Sequence, residues 1–206
     1  MIATQPHKPS AETAQAKVPN YLVYETFDGE PVHYKGYKEV LDGNKTFSEI
    51  MGSSGIQSFI VAYFQRMLFI KLDENLYTIF SSESGLHLDK GNNLAGDILI
   101  FDNTSLPLEA ITAYYVDVPP KIVIEVDIMA DPSDMDSTAY LFKKTQKLLD
   151  FGVEKVIWVT TNAKKVTVAT SGSNWQVMDW DNEVEILEGI TFNVGKYLAD
   201  KGLPFA

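Results

Sequence analysis

Two carboxylates and one lysine stand where a soluble chain rarely places charge. Asp97 opens the apolar run Asp97-Ile-Leu-Ile-Phe101, and Glu125 lies inside Lys121-Ile-Val-Ile-Glu-Val-Asp-Ile-Met129. A carboxylate within a buried strand is costly unless it is paired or holds a metal. Glu125 escapes that penalty if it sits at a strand end and meets solvent. Asp97, taken alone, reads equally well as an ordinary strand-start aspartate. The third group is Lys144. With about 100° per residue and Leu141 at the centre of an apolar arc, Lys144 falls about 60° from that centre, on the Leu148 side. Lys143 and Lys147 point away from it. Lys144 either snorkels along the helix face or carries its ammonium to the carboxylates. Two carboxylates and a lysine are a set that hydrolyses phosphodiesters. The acids bind Mg²⁺ or Mn²⁺ through oxygen, the metal activates water, and the lysine orients that water or stabilises the transition state.

The elements that must position these groups are legible in outline. Residues 1–18 are polar and rich in Pro, Ala and Gln, and read as a mobile tail ahead of one domain over 19–206. Between Tyr21 and Thr46, Asp28-Gly29 and Asp42-Gly43 are turn signals between short strands. Ser53-Ser54-Gly55 offers an N-cap to an amphipathic helix over residues 54–72, with Ile56, Ile60, Phe64, Met67 and Leu68 at helical spacing. Short strands follow at Tyr77–Ser81, Gly85–Leu88 and Asp97–Phe101, and Lys121–Met129 has the continuous apolar content of a central strand covered on both faces. On that strand Ile122, Ile124, Val126 and Ile128 share one face, leaving Val123, Glu125 and Asp127 on the other. A helix over residues 134–151 closes at Gly152, strands follow at Lys155–Thr160 and Lys165–Ala169, and a short helix lies near Val194–Lys201. This pattern predicts an α/β domain with a mixed central sheet flanked by helices, and a β-rich N-terminal extension.

Composition narrows the function classes. With 45% hydrophobic residues in 206, the chain can bury a core. The absence of cysteine excludes a disulfide scaffold, a thiolate zinc site and a thiol nucleophile. The stretch Phe59–Leu72 is interrupted by Gln65, Arg66 and Lys71, so it does not span a bilayer, and residues 1–18 lack the apolar core of a signal peptide. A cytoplasmic protein is the expectation. His7, His33 and His87 show no metal-ligand spacing, and neither a phosphate-binding glycine loop nor a Gly-x-Ser-x-Gly elbow is present. Trp158, Trp175 and Trp180 are expected to pack the last strands. The net charge of −11 disfavours non-specific nucleic-acid binding, and a single arginine, Arg66, leaves phosphate contacts to lysines. Lys143, Lys147, Lys164 and Lys165 are the candidate DNA contacts, the alternative being a solvated face.

The segments Glu39-Val-Leu-Asp-Gly43, Ser54–Leu72, Gly96-Asp97-Ile-Leu-Ile-Phe101 and Ile122-Val-Ile-Glu-Val126, with Lys144 followed by Gly152-Val-Glu-Lys-Val-Ile-Trp158, resemble in order and spacing the Uma family of putative restriction endonucleases, within the PD-(D/E)XK, restriction-endonuclease-like superfamily. The resemblance covers roughly residues 37–170. It implies that Asp97 and Glu125 are the metal pair, and that Lys144 supplies from a helix the lysine whose usual strand place Asp127 occupies. It also implies that Glu39 adds a metal or water contact, and that Gln57 stands where relatives carry histidine. The implied activity is Mg²⁺-dependent hydrolysis of DNA by a nuclease, with a homodimer expected because duplex cutting needs two sites. The alternative is a non-catalytic binding or regulatory protein on the same fold.

Overall fold

The computed structural model describes residues 18–203; the tail expected over residues 1–18 lies, except for Val18, outside them. In chain order the elements are β1 (Val23–Phe27), β2 (Glu30–His33), α1 (Tyr37–Leu41), α2 (Gly55–Lys71), β3 (Tyr77–Asp89), β4 (Asn92–Asp102), β5 (Ile122–Val126), α3 (Ser137–Phe151), β6 (Lys155–Thr160), β7 (Lys165–Thr170), β8 (Gln176–Asp179), β9 (Val184–Leu187), β10 (Ile190–Phe192) and α4 (Val194–Asp200). Strands β1 to β8 form one sheet in the order β2-β1-β4-β5-β6-β7-β8, with β3 on β4, and β9 and β10 form a separate hairpin. Every pairing in the large sheet is antiparallel except β5 with β6, which α3 connects as a crossover. This is the mixed, helix-flanked α/β sheet that the sequence pattern predicts, with β1 and β2 as its N-terminal extension.

Two apolar layers hold it. Ile98, Ile100, Ile122, Ile124 and Val126 pack with Ile60, Phe64 and Leu68 of α2, together with Phe192 and Leu198. Leu99, Phe101 and Val123 pack on the opposite face with Tyr140 and Leu148 of α3 and with Phe27 of β1. The strand alternation thus sends Asp97 and Glu125 to the α3 face.

Several local departures matter. The Asp42-Gly43 signal ends a helical turn, α1, and not a strand, because Tyr37 is anchored in a small cluster with Leu22 and Ile50. The two short strands expected at residues 77–88 are one long strand with a bulge, where Ser82 and Glu83 take φ of 68° and 56°. Strand β5 stops at Val126 because Asp127 turns to φ 61°.

Strand β4 forks the sheet. Its edge away from β3 pairs with β1 at Asn93 and with β5 from Ile98 to Ile100. Between these pairings lie Leu94, Ala95, Gly96 and Asp97. A Cβ on Gly96 would stand 2.4 Å from Leu99 Cδ2 and 3.6 Å from Glu125 Oε1. Gly96→Ala is therefore expected to displace the buried Leu99 side chain and destabilise the fold by about 1–3 kcal/mol, as overpacking does. Denaturant unfolding checks this, and an unchanged midpoint would contradict the close approach.

Candidate active site

At the fork, β1 contributes Glu25, β4 Asp97 and β5 Glu125, while α3 lays Lys144 across them. Asp136 caps the N-terminus of α3 by accepting from the Thr138 and Ala139 amides, and Gly152 closes its C-terminus at φ 119°. This frame fixes the rotation of the helix and turns Lys144 inward, where it is 0% exposed. Its Nζ lies 2.9 Å from Glu25 Oε1 and 2.9 Å from Glu125 Oε1. The rings of Tyr24, Tyr140 and Trp158 surround the ammonium at 5.6–5.9 Å. Inward placement of the lysine, one of the two orientations open from the helix wheel, is the one observed.

Each acid is held differently. Glu25 Oε1 accepts the Ala95 amide at 2.8 Å, and Glu25 Oε2 accepts the Tyr140 hydroxyl. That serves an N–H at the gap between the β1 and β5 pairings of β4. Asp97 Oδ2 accepts the Val126 amide at 2.7 Å, so the amide ending β5 fixes the Asp97 carboxylate. Glu125 is 3% exposed. Neither its Oε1 nor Lys144 Nζ makes an aligned hydrogen bond, so their contact is one of charge at short range. A buried polar atom left this way is costly and asks for a partner.

The electrostatics follow from three carboxylates facing one ammonium. Burial pushes the Glu125 carboxyl up to about 8, Lys144 opposing this and Asp97 and Glu25 adding to it. Burial also raises Asp97, against the Val126 amide, Lys144 and the Gln57 side chain. For Lys144 burial alone would lower the pKa, but Glu125 and Glu25 outweigh it and keep the ammonium protonated. Glu83, on the β3 bulge, is raised by burial and by Asp97, and so belongs to the same electrostatic neighbourhood.

The remaining residues singled out in the sequence lie elsewhere. Glu39 pairs with Lys45 on the surface and is not brought to this cluster. The acid brought in instead is Glu25, which shares the inward side of β1 with Phe27. The Asp127 carboxylate leaves the Glu125 face and accepts the Thr161 amide and hydroxyl, each at 2.7 Å. Lys143 and Lys147 both bind Asp28, at 3.1 and 2.6 Å, Lys165 binds Asp179, and Lys164 sits over the Trp180 ring. The four lysines are thus spread over two separate, partly neutralised places. Trp158 and Trp180 are buried in opposite layers, and Trp175 stacks on Phe142.

No family model matches this chain, and no similar sequence is found among curated proteins. A solved structure similar to it is that of a protein from Anabaena variabilis ATCC 29413 described as a putative nuclease belonging to DUF820. The TM-score is 0.61 at 16% identity, over 85% of this chain and 89% of that one. The two chains share a fold. Among the described residues no helix is long and apolar enough to cross a membrane.

The raised pKa of Glu125 sets a sign. In the folded protein it keeps its proton up to about 8, whereas unfolded it loses it near the ordinary 4.5. Stability from this group is therefore full below the unfolded value and is lost as pH rises through the folded one. The protein without added metal should melt at progressively lower temperature between pH 5 and pH 9. Lys144→Met should destabilise it at pH 9, where Glu125 is ionised in the wild type, by about 3–5 kcal/mol, the effect of stranding buried charge, and by less at pH 5. Equal losses at both pH values would contradict the ion pair.

Proposed function

We propose that this protein is a divalent-metal-dependent DNA endonuclease of the restriction-endonuclease-like type, related to the Uma family, with Asp97 and Glu125 as metal ligands and Lys144 as the catalytic cation. The observation that carries the reading is the convergence of β4, β5 and α3 on one buried point. There Glu125 Oε1 has no aligned hydrogen bond, Glu25 and Glu125 both contact Lys144, and Asp97 lies within electrostatic reach of Glu125 and Lys144. With Glu25, Asp97 and Glu125 ionised and Lys144 protonated the cluster carries a surplus of two negative charges. A divalent cation would cancel it.

The donor set fits Mg²⁺ or Mn²⁺. Among the described residues no three His, Asp or Glu side chains form an all-protein metal cage. Mg²⁺ is commonly held by one or two carboxylates, with waters and substrate phosphate completing its shell. When bound, the cation supplies Lewis-acid charge at the scissile phosphate. The chain's own groups do the rest. The Val126 amide fixes one Asp97 oxygen, leaving Oδ1 as a donor. Glu25 holds Lys144 charged and in place, which makes it a positioning residue. The Lys144 ammonium, fixed before substrate arrives, would stabilise the charge that develops on the phosphoryl oxygens.

A second reading, a non-catalytic binding or regulatory protein, is favoured by the lysines: Lys143, Lys147 and Lys165 are all occupied by acids of the same chain. Calorimetric titration with Mn²⁺ and a cleavage assay on both plasmid and single-stranded circular DNA separate the two. Wild type should bind Mn²⁺ saturably and cut DNA. Asp97→Asn and Glu125→Gln should each abolish both while remaining folded by circular dichroism. Unchanged Mn²⁺ binding in both variants, or no cutting by a wild type that binds Mn²⁺, would overturn the nuclease reading.

A further inference from the structure

Two large clefts flank the cluster. One, of about 1160 Å³, reaches Tyr24, Glu25 and Ala95; among the described residues its charged lining is Glu25 and Asp117, with His33 and His87 as its nitrogen bases. A phosphodiester would meet repulsion there. The other, of about 830 Å³, runs between the N-terminal turns of α2 and α3 and is lined by Lys35, Gln57, Phe142, Lys165, Thr167 and Val177, among others. Gln57 joins this second cleft to the cluster, since it is buried and its side chain also acts on Asp97.

The chemistry of the second cleft is that of an anionic strand carrying flat rings. Lys35 is exposed and makes no ion pair among the described residues, unlike Lys143, Lys147 and Lys165. The acid in the lining, Asp127, has its two oxygens taken by Thr161. Thr167, 7% exposed, also lines the cleft. Phe142, half exposed, stacks on Trp175 at 5.3 Å and 25°, so one ring face is backed by an aromatic and the other is free. A free lysine beside an exposed aromatic platform is how sequence-tolerant single-strand binders hold phosphates and bases. The scarcity of unpaired basic residues argues against docking of a duplex, whose affinity rests on many phosphate contacts.

We propose that the cleft between the α2 and α3 N-terminal turns is a groove for single-stranded DNA, with a phosphate on Lys35, a base stacked on Phe142, and the strand led past Gln57 to Asp97. The proposal rests on the nuclease reading and names the substrate class of that site. Cutting one strand needs one site, so the groove does not call for a homodimer.

The test is fluorescence anisotropy of a labelled twelve-nucleotide oligothymidine and a labelled duplex of the same length, in EDTA so that neither is cut. The full chain should bind the single strand at least about tenfold more tightly than the duplex. Phe142→Ser should weaken single-strand binding about tenfold, the effect of losing one stacked base. Lys35→Ser should lower the slope of log affinity against log salt by about 0.7. Lys71→Ser, at the far end of α2, should change neither. Duplex binding as tight as single-strand binding, wild-type affinity in both groove variants, or no binding of the oligothymidine would overturn the proposal. The two readings fail separately. Cleavage that survives Asp97→Asn removes the metal site but leaves the groove; cleavage lost in Asp97→Asn, with binding unchanged in the groove variants, removes the groove alone.

Discussion

The ammonium of Lys144, fully buried between Glu25 and Glu125, is the contact on which the remaining arrangement depends. It joins three elements that no backbone ladder joins directly: α3 above, and β1 and β5 on either side of the gap in β4. Burying such a pair carries a desolvation penalty that its attraction often fails to repay, and apolar residues of similar size commonly do as well. A chain with Ile, Val and Leu throughout both layers had that option at position 144. That it keeps three acids and a lysine instead is the kind of local rule-breaking expected at functional sites.

The same contact explains the charge economy around it. Glu25 spends one oxygen on the Ala95 amide and the other on the Tyr140 hydroxyl, so it is a rigid support and not a spare ligand. Asp97 keeps an oxygen available, and Glu125 has one without an aligned donor. Burial raises both acids, so the site holds its surplus charge poorly until a cation or a proton arrives. Meanwhile the acidic surface absorbs most of the lysines near α3, which leaves Lys35 as the free base at the cleft that Gln57 links to Asp97.

Much of this was legible in the sequence, and the rest was hidden for identifiable reasons. Ser54 and Gly152 bracket α2 and α3 as cap chemistry predicts, and helical geometry put Lys144 on the inward side. Alternation along β5 put Val123 and Glu125 on the face opposite Ile122, Ile124 and Val126. Glu25 escaped because the partners that bury it, the Ala95 amide, Tyr140 and Lys144, all lie far from it in the sequence. Asp127 misled because alternation assumes an extended backbone, and it leaves that conformation after Val126. Glu39 misled because its segment forms a surface turn of helix, where Lys45 is the nearer partner. Long-range pairing decides all three positions, and local pattern does not carry it.

The central claim is that the surplus negative charge at Glu125 belongs to a divalent-cation site. The direct measurement is the carbon-13 NMR titration of the Glu125 side-chain carboxyl, with and without Mg²⁺. Without metal its midpoint should lie near 8. With saturating Mg²⁺ it should fall below the ordinary carboxylate value of about 4.3, because the cation favours the ionised form. A titration curve that Mg²⁺ leaves in place would contradict the account.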